Sequence, residues 1–115
     1  MIRAALWTDK DHRFIAWEIS GHSGYADAGS DIVCSAVSVL AITCLNSLES
    51  VCGIHPAVTG GDDGYLKVRL PSRMTDEQRH DAQVILCTLH QGLRDLAASY
   101  PRFVQFSIVN GGKQP

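Results

Sequence analysis

The chain has 115 residues, 45% hydrophobic and 19% charged, with a formal charge of −2 at pH 7. That length and composition fit one domain over residues 1–115 with enough apolar side chains for a packed core, which argues against a disordered chain. A mildly acidic balance without any run of Lys or Arg offers nothing to hold a phosphate backbone, so direct nucleic-acid binding is not expected.

The opening MIRAALWTDKD meets charge at Arg3 and Asp9, too early for the apolar segment of a signal peptide, and a cytoplasmic protein is expected. Residues 2–8 and 13–20 read as strands around the polar turn Asp9-Lys10-Asp11-His12, with Ile15, Trp17 and Ile19 alternating against Ala16, Glu18 and Ser20. Gly21 to Ser30 is a loop, and a helix is predicted from about Asp31 to Cys52, closed by Gly53 and Pro56. Its apolar residues point nearly all round, which predicts burial on more than one side. The uncharged run Ile32 to Leu48 falls short of the roughly 20 residues a membrane span needs and carries several hydroxyl and amide side chains, so a buried soluble helix is expected and no membrane partner.

The segment AVTGGDDGYLKVRLP predicts a second hairpin about a Gly-Asp-Asp-Gly turn, with Leu66, Val68 and Leu70 on one face and Tyr65, Lys67 and Arg69 on the other. Thr75 and Gln78 have capping-box spacing, and Ala82, Ile85, Leu89, Leu93 and Leu96 then recur at helical spacing until Pro101. Phe103 to Val109 reads as a last strand with Val104, Phe106 and Ile108 inward, before a Gly-Gly-Lys-Gln-Pro tail. The order ββαββαβ implies an α+β fold, two helices packed on a mainly antiparallel or mixed β-sheet.

The chemistry gathers between Gly21 and Ser38. A cysteine nucleophile acts as the thiolate, so it needs a base within hydrogen-bond reach or a local positive potential. At a thiol pKa near 8.5 about 3% is ionised at pH 7, whereas a pKa near 6 ionises about 90%. If Ser30 or Asp31 caps the helix, Cys34 lies in its first turn, where unpaired backbone N–H groups favour a negative sulfur and offer donors for an oxyanion. His22 is the natural partner, but twelve positions separate the two by about 18 Å along a helix or about 40 Å along a strand. Only a fold-back joins them, and Gly24 and Gly29 permit one. Asp31, Cys34 (or Ser35) and Ser38 also share a polar stripe on the helix. The bland account of the same residues is a small buried Cys, a structural His, serines bonded to carbonyls one turn earlier and Asp31 as cap alone. On these residues by themselves both accounts stand.

The pattern Gly21-His22 followed by Gly29-Ser30-Asp31-Ile32-Val33-Cys34-Ser35-Ala36-Val37-Ser38 closely resembles the Prp family of bacterial ribosomal-processing cysteine proteases. The resemblance extends to length and element order. It implies a cytoplasmic, dimeric Cys/His endopeptidase that removes the N-terminal extension of a large-subunit ribosomal protein precursor, cutting after a short aromatic-rich motif. By motif position, Cys34 is then the nucleophile and His22 the general base, with Gly21 giving the substrate loop its freedom and Asp31 and Ser38 orienting the site. No cofactor or metal is implied. The chain lacks HExxH and paired Cys/His spacing as well as GxxxxGK[ST] and GxGxxG, and Gly-Gly-Asp-Asp-Gly reads as hairpin turn chemistry. Ser23 in GHSGY lacks the second glycine of a serine elbow, and Cys44, Cys52 and Cys87 read as structural. Two rival functions remain: a non-catalytic dimeric ribosome-assembly module that keeps Cys34 for packing, and a thioesterase or acyltransferase using the same dyad.

Overall fold

Strands β1 (Ile2–Thr8) and β2 (Phe14–Ser20) form where the alternation predicted them, joined by a turn in which Asp9 Oδ1 accepts the N–H groups of Asp11 and Arg13 at 2.9 and 3.0 Å. The computed structural model describes residues 1–22, 24–26, 31–62 and 64–111. The alternative cap Ser30, the elbow serine Ser23, the fold-back glycine Gly29, Asp63 of the second turn and tail residues 112–115 lie outside the described residues. The remaining elements are α1 (Ile32–Ser50), β3 (Ala57–Asp62), β4 (Tyr65–Arg69), α2 (Asp76–Ser99) and β5 (Val104–Val109). The order is the predicted ββαββαβ, and the fold is α+β.

One five-stranded sheet runs in the order β3-β4-β2-β1-β5. β1 pairs antiparallel with β2, β2 with β4 and β4 with β3, whereas β5 lies parallel to β1 from Ile2↔Val104 to Trp7↔Val109. The sheet is therefore mixed. Ile2, Ala4 and Leu6 of β1, Trp17 of β2 and Leu66 and Val68 of β4 are buried beneath the helices.

α1 buries Val33, Val37, Ala41, Cys44 and Leu48, a stripe at three- and four-residue spacing. Gly53, at φ 66°, turns the chain after it, and the N–H groups of Gly53 and Ile54 return to the carbonyls of Glu49 and Leu48. α2 starts on the predicted capping box: Thr75 Oγ1 accepts the Gln78 N–H and Gln78 Oε1 accepts the Thr75 N–H, both at 3.0 Å. It buries Ala82, Leu86, Leu89 and Leu93, and Gly92 lets the Leu40 side chain of α1 come into close contact.

Two expectations hold only in part, because the molecule has two layers and no third. α1 packs on the sheet and, at Leu40 and Gly92, against α2, but its outer apolar side stays open: Ile32 is 54% and Val39 66% exposed. Ile108 shares the helix-facing side of the sheet with its partner Leu6, yet it sits on the edge strand and is 38% exposed. α1 itself runs Ile32–Ser50 rather than Asp31–Cys52, with Asp31 and Val51 as its caps.

Candidate active site

β2 delivers the histidine. At its end Gly21 adopts φ 90° and donates its N–H to the Gly64 carbonyl at 2.8 Å, which ties this exit to the tip of the β3–β4 hairpin. A Cβ at Gly21 would collide with the Met1 carbonyl, so the close approach requires glycine. His22 follows, exposed at the mouth of the cleft, its carbonyl accepting a hydrogen bond from the Met1 nitrogen.

α1 delivers the cysteine. Asp31 is buried and extended, and its Oδ1 accepts the N–H groups of Val33 and Cys34 at 3.0 and 2.9 Å. Asp31 is thus the N-cap, which places Cys34 half-buried in the first turn. The same cap corrects one expectation. The N–H groups of Val33 and Cys34 are engaged by a carboxylate, so they do not stand open as oxyanion donors, and the acidic group offsets the positive end of the helix beside the thiol.

His22 and Cys34 line one cleft of about 230 Å³. Ser38, one turn after Cys34, and Gly21 line it as well. Asp31 does not reach the lining. Ser35 belongs instead to the opposite side of α1, beside Ile32 and Val39, so the polar stripe runs through Cys34 and Ser38. Ile2, Ile19, Ala41, Ile42 and Leu66 supply an apolar floor, and Gly61, Gly64 and Tyr65 close the side formed by the second hairpin. Among the described residues lining the cleft, His22 is the only basic side chain, and so the only group there able to take a thiol proton or balance a thiolate.

Between the two residues in sequence stands Tyr25, whose ring meets Phe103 and Tyr100 edge-on at centroid distances of 5.2 and 6.0 Å. The Tyr65 phenol donates to Glu18 Oε2 at 2.8 Å, and that bond, followed by partial desolvation, holds its pKa above the ordinary tyrosine value.

The remaining thiols differ. Cys44 is buried, and burial raises its pKa; Cys52 is raised by burial and by Asp81. Cys87 is exposed on α2 rather than packed within it, because its side of the helix points away from the sheet. Among the described residues no group of three His, Cys, Asp or Glu side chains is arranged to hold a metal ion.

Sequence reasoning places His22 and Cys34 near one another only as a possibility of the loop, and it predicts the second hairpin without placing it at the site. Gly61 and Gly64 were legible as turn residues. Their place in the cleft follows from the β2–β4 register, which sets Ser20 against Tyr65.

The family model for Cysteine protease Prp matches residues 1–105. A curated relative, the ribosomal processing cysteine protease Prp of Bacillus subtilis (strain 168), is 27% identical over 101 residues, covering 87% of this chain and 90% of its own. Among solved structures, SMU.848 from Streptococcus mutans is 31% identical, with a TM-score of 0.81 over 96% of this chain and 95% of its own. An essential ribosomal processing protease Prp from S. aureus, solved with a covalently linked product peptide, has a TM-score of 0.84 at 22% identity, covering 94% and 99% of the two chains.

Proposed function

The chain belongs to the Prp family of cysteine proteases, and on that premise we propose that it is a cytoplasmic endopeptidase that removes the N-terminal extension from a large-subunit ribosomal protein precursor. Cys34 is the nucleophile and His22 the general base. The observation that carries this reading is the shared cleft, which two residues twelve positions apart both line beside an apolar floor that suits an extended peptide with bulky side chains. The relatives add support, since one is named a ribosomal processing protease and another was solved with a product peptide covalently attached.

The chemistry balances within the dyad. His22 takes the Cys34 proton as sulfur adds to the scissile carbonyl, and the tetrahedral intermediate collapses to a thioester as the C–N bond breaks. The leaving amine receives the proton held by His22. Water, deprotonated by His22, then hydrolyses the thioester and regenerates the thiol. Gly21 gives the entry its tight turn, Asp31 fixes the helix start that carries Cys34, and Ser38 borders the thiol one turn on. The Ile32 and Val39 stripe of α1 supports a homodimer, because a second copy would cover apolar surface that this chain leaves open.

The test is incubation with the ribosomal protein precursor, followed by mass spectrometry of the new amino terminus. Wild type should shorten the precursor, Cys34→Ala should leave it intact, and His22→Ala should slow cleavage by about 10²- to 10⁴-fold. Cleavage by Cys34→Ala at the wild-type rate refutes the mechanism. Cys34 no more reactive to iodoacetamide at pH 6 than Cys44 or the exposed Cys87 favours an assembly module instead.

A further inference from the structure

The second hairpin comes against the His22 side chain at Gly64. Gly64 has φ 79°, and a Cβ built on it would lie 2.7 Å from His22 Nε2, 3.1 Å from Cε1 and 3.3 Å from Cδ2. Real Cβ atoms do not approach other atoms that closely, so the imidazole sits in space available only because residue 64 has no side chain. The same residue accepts the Gly21 N–H through its carbonyl at 2.8 Å, one position before the histidine. Gly64 therefore holds the backbone that presents His22 and borders the Nε2 edge of its ring.

The hairpin is well suited to serve as a fixed wall. At Gly60, φ 80°, a Cβ would strike the Tyr65 backbone and come within 2.8 Å of its ring, so this end of the hairpin is folded tightly on Tyr65. Tyr65 is tied in turn to Glu18 of β2 at 2.8 Å and paired with Ser20, two residues before His22. The glycines of the Gly-Gly-Asp-Asp-Gly turn thus form a brace between β2 and the cleft.

We propose that Gly64 is a positioning residue for the reaction, setting the place and angle of the His22 imidazole against Cys34 by the closeness of its bare Cα. The proposal rests on His22 being the base. A side chain at 64 must push the ring away. Because a catalytic group misplaced by about an ångström can lose about 100-fold, Gly64→Ala should lower kcat for peptide cleavage by about 10- to 100-fold with KM little changed.

The decisive measurement is the rate of Cys34 alkylation by iodoacetamide between pH 5 and 8, read by mass spectrometry, in wild type, Gly64→Ala, His22→Ala and the double variant. Gly64→Ala should slow alkylation at pH 6.5 by about tenfold in the wild-type background and not at all in the His22→Ala background, the non-additivity expected of two residues acting through one group. Gly64→Asn, whose side chain tolerates a left-handed backbone but carries the same Cβ, should behave alike. Gly111→Ala, at φ 88° with nothing within 4 Å, bears the same backbone strain away from the cleft and should alkylate at the wild-type rate. Equal slowing in both backgrounds, wild-type rates in both Gly64 variants, or failure of both to fold overturns the proposal, the last because Gly64 would then serve the hairpin and not the histidine. Wild-type alkylation in His22→Ala itself would instead strike down the base assignment.

Discussion

Replacing Asp31 by alanine removes the acceptor that holds two backbone N–H groups at the start of α1, those of Val33 and Cys34, at 3.0 and 2.9 Å. Loss of an N-cap side chain costs about 0.5–2 kcal/mol, and burial points to the upper end, because at 6% exposure little water reaches the freed groups. A chain of 115 residues has an unfolding entropy of about 240 cal/mol/K, so about 2 kcal/mol lowers Tm by about 8 °C. Asp31→Asn keeps an oxygen in the same place and should lie within about 3 °C of wild type, since Asn caps nearly as well as Asp. Thermal unfolding followed by circular dichroism measures both. Cleavage should fall more in the alanine variant than in the asparagine variant, because the turn that frays carries Cys34. If Asp31→Ala melts with the wild type, or Asp31→Asn melts as low as Asp31→Ala, the cap is not what fixes this turn.

Removal of the charge alone has a consequence of its own: a carboxylate at a helix N-terminus is worth about 0.3–1 kcal/mol, so Asp31→Asn should speed Cys34 alkylation at pH 6 by about two- to fivefold, and a slower rate would contradict it. Tyr25→Ala removes two edge-on ring contacts, each worth about 0.5–1.5 kcal/mol, and should raise KM for a peptide substrate, with unchanged KM the contrary result. His90, between the rings of Phe14 and Phe106 at 5.5 and 5.4 Å, has its pKa lowered by desolvation and then by Arg94. The unfolded chain therefore binds the proton first. The stability His90 contributes is complete above its unfolded pKa of about 6.5 and falls away as the pH drops toward its folded value. Urea unfolding at pH 7 and 5 should show a smaller difference for His90→Phe than for wild type, and an equal or larger difference would refute this. Val39→Lys places a charge on the exposed stripe of α1 and should yield a folded monomer by sedimentation velocity if that stripe joins two copies; a dimer of wild-type strength removes it from the interface.

What could be read from the sequence was local. The alternation of Ile15, Trp17 and Ile19, the spacing of Thr75 and Gln78, and the stop at Gly53 each depend on residues within a few positions, and each element formed where those signals lay. Partners distant in sequence were out of reach. Nothing in Phe103 to Val109 specifies β1 as its neighbour or a parallel sense, and nothing in α1 tells which of its apolar sides will have a covering layer. The candidate site divides in the same way. Asp31, Cys34 and Ser38 follow from helical spacing, and His22 from its glycine and its motif, but Gly64 reaches the imidazole only through the pairing of β2 with β4. A glycine read alone announces a turn and not the side chain it makes room for.

The parallel pairing of β1 with β5 makes one flank of the cleft depend on a segment distant in sequence. Ile2 forms part of the cleft floor, and its N–H is held by the Phe103 carbonyl at 2.8 Å, about 100 residues later in synthesis. A nascent chain short of that point has β1 as an open edge, with one flank of the site unsupported and exposed to foreign strands. Closure across so long a separation is non-local and by loop entropy slower than the formation of either hairpin. The β1 flank of the cleft thus takes its final form only once the segment from Phe103 has joined the sheet.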